Sequence, residues 1–87
     1  MNAEPIIVRW SRTAEAAWLS LPQPQRAYLS QLALILRQLV EQKRTHLVDS
    51  SGNLPIWRYR NRKILIEFDL PADAPPMIHY FRFREPR

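Results

Sequence analysis

The sequence predicts an α+β domain ordered β-α-α-β-β-β, with a two-helix hairpin packed on one face of a small, curved, mainly antiparallel sheet. Three observations lead there. The 87 residues suffice for one domain with one core, spanning 1–87, because domains begin near about 50 residues. An apolar stripe of helical spacing fills much of the first half. After the loop Asp49-Ser50-Ser51-Gly52-Asn53 the apolar period changes from about 3.6 residues to about 2, the mark of half-buried strands. Helices and strands segregated in this way make an α+β domain.

Ile6-Ile7-Val8-Arg9-Trp10 is short and β-branched and reads as a first strand. Ser11 or Thr13 then caps a helix with Glu15 in its first turn, where the helix dipole favours an anion. Ala14, Ala17, Trp18 and Leu21 share one face of that helix, and Pro22 ends it. A second helix, Gln25 to Lys43, carries the stripe Tyr28, Leu32, Ile35, Leu36 and Leu39, widened by Leu29, Ala33 and Val40. Past the loop, Ile56–Arg60 and Ile64–Leu70 are strands joined at Asn61-Arg62. Pro71–Pro76 is too proline-rich for a ladder, and Met77–Arg84 is the last strand.

Composition narrows the function. No apolar run approaches the roughly 18 residues that span a bilayer, and Met1–Pro5 lacks a signal peptide's basic start, so a soluble cytoplasmic protein without a membrane partner is expected. The absence of cysteine rules out thiolate ligands and a thiol nucleophile. Two histidines are too few for an ordinary zinc site, and neither metal nor cofactor is expected. The single glycine, Gly52, excludes a glycine-rich phosphate loop. The charge points elsewhere. The 13 Lys and Arg, eleven of them Arg, outnumber 8 Asp and Glu and give +5, with a pI near 10.5. Arginine's planar fork pairs bidentately with phosphate, and such a balance is the electrostatic footprint of a nucleic-acid partner.

Strand parity shows which charges share a face, because successive residues point to opposite sides of a sheet. Ile64, Ile66 and Phe68 belong to the core, as do Ile6, Val8, Trp10, Trp57 and Tyr59. By the same count Met77, His79, Phe81 and Phe83 face inward. The opposite face then gathers Arg9, Arg58, Arg60, Lys63, Glu67, Tyr80, Arg82 and Arg84. These residues come from four strands and meet only if the sheet forms as drawn. A plain solvated face, with Arg stems covering Ile7, Leu65 and Ile78, has the same pattern. A convergent Arg face with an aromatic also suits single-stranded RNA. It suits RNA cleavage by the neighbouring 2′-hydroxyl, which needs a base, stabilisation of charge on phosphorus, and a proton for the leaving oxygen. Arg58, Arg82 and their neighbours supply the second function by fixed electrostatics. Glu67 or Lys63 is the candidate base, and Tyr80 a stacking platform or proton donor. Phosphate and base contacts fall to Arg9, Arg60, Tyr80 and Arg84.

His79 falls on the parity of Phe81 and Phe83 and is expected as a half-buried histidine, although one β-bulge would reverse it. His46, just past the long helix, is expected to interact with that helix's C-terminus. Trp10 and Trp18 read as core packing.

With these residues in place, the chain resembles the RelE/ParE superfamily of bacterial toxin–antitoxin toxins over nearly its whole length. Val8-Arg9-Trp10-Ser11, followed by Ala14 and Leu19/Leu21, is similar to that family's opening strand and first helix. Ile56-Trp57-Arg58-Tyr59-Arg60 before Lys63-Ile64-Leu65-Ile66-Glu67-Phe68 looks like its central hairpin, with one Arg before the turn and a second cation after it. Ile78–Arg84 looks like its last strand, where Arg82 or Arg84 matches a His or Arg near the end. Asn61-Arg62 stands where the family's turn commonly has Gly-Asp. The resemblance implies two helices on a curved antiparallel sheet with the substrate on the concave side. It implies a type II toxin, expected to be a ribosome-dependent, metal-independent endoribonuclease that cuts mRNA and inhibits translation. The alternatives are a ParE-like toxin that binds and poisons DNA gyrase, or an inactive member that binds only its antitoxin. It also implies a cognate antitoxin protein as partner.

Overall fold

A computed structural model of the chain describes residues 8–49 and 54–84. Within them the order is β1 (Arg9–Trp10), α1 (Arg12–Leu19), α2 (Gln23–Ala33), α3 (Leu36–Glu41), β2 (His46–Asp49), β3 (Ile56–Arg60), β4 (Ile64–Asp69) and β5 (Met77–Phe83). The start of the expected first strand, with Ile6 and Ile7, lies outside the described residues.

Local chemistry accounts for the helix ends. Ser11 caps α1, its hydroxyl accepting the Ala14 N–H at 3.2 Å. Arg26 donates to the carbonyls of Trp18 (3.2 Å) and Leu19 (2.6 Å), two of the acceptors that the end of α1 leaves open. Pro24 lies in the first turn of α2, where a missing N–H costs nothing. The single helix expected from Gln25 to Lys43 is two helices. Leu34 and Ile35 tighten to contacts three residues back, Leu34 N–H to Gln31 and Ile35 N–H to Leu32, before α3 resumes. The buried stripe Leu29, Leu32, Leu36 and Leu39 runs through the break, and Leu34 and Ile35 are left exposed. Arg37 ties α3 to the proline-rich loop by bonds to the Pro71 and Ala74 carbonyls, 3.0 and 3.1 Å. Lys43 ends α3 with φ 59°. The Arg44 N–H reaches the Leu39 carbonyl and the Lys43 N–H that of Val40, the Schellman closure, here with a lysine where glycine is usual.

The sheet has the order β1-β5-β4-β3-β2 and is mixed. β1 runs parallel to β5, and the other pairs are antiparallel. β2 was not expected. It is exposed along its whole length, so no burial pattern announced it, and it exists because it pairs with β3. The described architecture is thus a small α+β domain with an additional helix break and an additional edge strand.

All three helices lie on one face of the sheet. Ala14 from α1, Leu29 and Leu32 from α2, and Leu36 and Leu39 from α3 share a buried cluster with Tyr59, Ile64, Ile66, Phe68, Ile78 and Phe81. Each fully buried Ile or Phe there contributes about 1.5–3 kcal/mol relative to exposure. Trp10 and Trp18, with centroids 4.7 Å apart, pack against this cluster as expected.

The last strand departs from simple alternation. Glu67 pairs with Tyr80 but Phe68 pairs with Ile78, so His79 is an extra residue in a β-bulge. The bulge reverses the parity of everything before it. Ile78, expected outside, is fully buried in the core. Met77 and His79, expected inside, move to the face without helices. The carbonyls near the bulge are taken up by Ser11, whose N–H donates to Ile78 (2.9 Å) and whose hydroxyl donates to His79 (3.2 Å).

Candidate active site

The helix-free face is built in rows across the strands, each row about 7 Å from the next along a strand. Nearest the β3–β4 turn lies Arg60, Leu65 and Arg82. The next row is His46, Arg58, Glu67 and Tyr80, one residue from each of four strands. The third is Ile56, Asp69, Met77 and Arg9. Arg60 and Arg82 are exposed, as is Tyr80 at 45%. Among the described residues the first two rows are thus open to solvent at Arg60, Arg82 and Tyr80, and Asp69 in the third is buried.

Arg58 and Glu67 form the central contact. Arg58 Nε and Nη2 both donate to Glu67 Oε2, at 2.9 and 2.6 Å. Two bonds from one guanidinium edge fix its plane and leave the Nη1 side for another acceptor. Glu67, a candidate base from its parity, takes both of these bonds on Oε2. His46 stands opposite Arg58 on β2, on the same face, and not at the helix end as expected.

Beside this row is a second pair. His79 Nε2 lies 2.8 Å from Asp69 Oδ2. The Asp69 side chain is 10% exposed and that of His79 is 38% exposed. A carboxylate only accepts, so in the tautomer that makes this bond Nε2 donates and Nδ1 is left as the accepting nitrogen. Asp69 Oδ1 is buried and has no partner among the described residues. The arrangement is a histidine oriented by a buried carboxylate, with the Tyr80 hydroxyl on the adjacent residue. Sequence parity missed it, since the decisive feature is the bulge. The available signal was Ser11, whose hydroxyl both caps α1 and holds the bulge.

Of the other expected site residues, Lys63 and Arg84 lie off this face and Arg9 stands at its edge in the third row. Lys63, in the turn, reaches to the helix side, its Nζ 5.0 Å from the Tyr28 ring centroid on α2. Arg84 donates from Nη1 to the Asn61 carbonyl at 3.0 Å, beside the same turn. Arg9 donates from Nε to the Pro75 carbonyl at 3.2 Å, at the sheet's far edge. The structure thus brings Arg58, Arg60, Glu67, Tyr80 and Arg82 together, adds His46, His79 and Asp69, and separates Lys63 and Arg84 from them.

Among the described residues no three His, Cys, Asp or Glu side chains gather as metal ligands, and no helix is long and apolar enough to cross a membrane. The chain matches no family model, no curated protein and no solved structure.

Proposed function

We propose that the chain is a RelE/ParE-like toxin that cleaves mRNA on the ribosome through attack of a 2′-hydroxyl on the adjacent phosphorus. The observation that supports this reading best is the Asp69-held His79 beside the Arg58–Glu67 pair and Tyr80 on the helix-free sheet face. The 2′-hydroxyl gives its proton to His79 Nδ1 as the O2′–P bond forms. Asp69 holds the ring's orientation and stabilises the imidazolium that results, as a buried carboxylate does behind a catalytic histidine. Arg58, positioned by Glu67, and the exposed Arg82 and Arg60 take the charge that builds on the phosphoryl oxygens. The P–O5′ bond breaks and Tyr80 supplies the proton to the departing 5′-oxygen. The products are a 2′,3′-cyclic phosphate and a 5′-hydroxyl. In this scheme Glu67 is a positioning residue and Lys63 takes no part in the chemistry. The sequence resemblance supplies the partners: the ribosome with its mRNA as target, and a cognate antitoxin.

The test is a cell-free translation reaction with the purified chain, mapping mRNA ends. Translation arrest with cuts bearing cyclic phosphate ends, lost in His79→Ala and Arg58→Ala that remain folded, supports the reading. Undisturbed translation together with gyrase-dependent DNA breaks would replace it with gyrase poisoning.

A further inference from the structure

The residues displaced from the open face meet at a hollow of about 350 Å³ between the start of α2 and the β3–β4 turn, lined by Gln25, Tyr28, Arg62, Lys63, Phe83 and Arg84 among others. Among the described residues its lining has three cations, Arg62, Lys63 and Arg84, and no carboxylate. We propose that this hollow binds a phosphate group carried by a nucleotide, as a second anion site beyond the open face.

Two of these cations, Lys63 and Arg84, rest against neutral groups. Lys63 Nζ rests over the Tyr28 ring, and Arg84 bonds a backbone carbonyl, so neither of these contacts cancels a charge. Asn61 builds the support. Its Oδ1 accepts the N–H groups of Lys63 (2.7 Å) and Ile64 (2.9 Å), and its Nδ2 donates to the Tyr28 hydroxyl at 2.8 Å. Its carbonyl holds Arg84. One residue therefore clamps the turn to α2 and to the end of β5, and these two positive groups are ordered before any ligand arrives. Preorganised cations with no counter-charge among the described residues favour an oxyanion, and Arg and Lys donors to phosphate form charge-assisted bonds. Tyr28 and Phe83, centroids 6.1 Å apart, add an aromatic wall of the kind that packs against a sugar or base. The volume is at the small end of ligand pockets, which suits one nucleotide unit.

Position links the hollow to the open face. Arg84 lies two residues beyond Arg82, about 7 Å along the strand direction. A strand lying across the row of Arg60 and Arg82 would reach the hollow with a neighbouring phosphate. This path rests on the proposed function, whereas binding of a single nucleotide does not.

The experiment is an amide-resonance titration of the full chain at constant ionic strength. The probes are inorganic phosphate, AMP, UMP, and a 2′-O-methyl RNA hexamer that cannot be cut. The expected result is saturable shifts at Asn61–Ile64 and Phe83–Arg84 with AMP and UMP, weaker with phosphate alone. Lys63→Gln and Arg84→Gln should each weaken nucleotide binding about tenfold, the scale of one charge-assisted bond. Lys63→Arg should restore it in large part, and Arg12→Gln, at an exposed position of α1, should leave it unchanged. With the hexamer, shifts at the turn together with Arg82 indicate a continuous strand path. Nucleotide binding at the turn in a chain that cuts no mRNA would support the hollow and sink the cleavage reading. Hexamer shifts confined to the open face, with none at the turn from any probe, would overturn the hollow and leave the cleavage reading standing. Shifts at the turn caused only by an acidic peptide would overturn it as well.

Discussion

The hydroxyl of Ser11 accepts the Ala14 N–H and donates to the carbonyl of His79, both at 3.2 Å. One side chain therefore starts the first helix and secures the bulge in the last strand. A bulge removes ladder partners from the residues it contains, and a carbonyl left without one costs stability if it is shielded from water. Ser11 supplies that partner. The consequence is that His79 faces the open side of the sheet beside Asp69.

Replacing Ser11 removes both functions at once. Ser11→Ala is expected to cost about 1–2 kcal/mol, the range for loss of a helix cap, measured by urea denaturation. The His79 ring resonances should move in the same variant, because the bulge loses its anchor. A loss of stability with those resonances unmoved would confine Ser11 to capping.

Proton transfer should depend on His79 more than on Glu67. His79→Ala is expected to lower mRNA cleavage by about 10²–10⁴-fold, the usual contribution of a positioned general base. Asp69→Asn keeps the shape but changes the ring's partner, and should lose less than His79→Ala. Glu67→Gln frees Arg58 to move and should fall below Asp69→Asn in severity. Cleavage rates in a translation extract give the order, and a Glu67→Gln loss equal to that of His79→Ala would return the base to Glu67.

The exposed arginines should report phosphate contacts through salt. Arg82→Gln and Arg60→Gln are each expected to reduce the slope of log affinity against log salt by about 0.7 for a single-stranded oligonucleotide. Fluorescence anisotropy with a 2′-O-methyl strand measures it. An unchanged slope in both variants would mean that these side chains meet no phosphate.

Lys43 holds a left-handed backbone, φ 59°, at the close of α3. A side chain there costs about 1–2 kcal/mol, part of which glycine recovers against its greater freedom in the unfolded chain. Lys43→Gly is therefore expected to raise stability by about 0.5–1 kcal/mol in thermal or urea unfolding.

Much of the architecture was legible in the residues. The stripe from Leu29 to Leu39, the cap at Ser11 and the alternation of Ile64, Ile66 and Phe68 each carry their own period or local chemistry. The rows of Arg58 with Glu67 and Arg60 with Arg82 followed from the same alternation. Other features were not legible, for separate reasons. The break at Leu34 and Ile35 interrupts a stripe whose spacing is continuous. β2 is exposed, so its residues show no burial pattern. Lys63 lies in a bend outside any strand, where parity has no meaning, and it turned to Tyr28.

The amino-acid order by itself determined the class of fold, the inward set of the central hairpin and the surplus of arginine, because these depend on neighbours within a few residues. Only the tertiary structure decided which histidine meets a carboxylate and which cations share the open face. The histidine's partner depends on one extra residue in a ladder between distant strands, where a single-residue slip turns side chains over without any local cue. The loss of Lys63 and Arg84 from that face depends on contacts at a turn that strand parity does not reach.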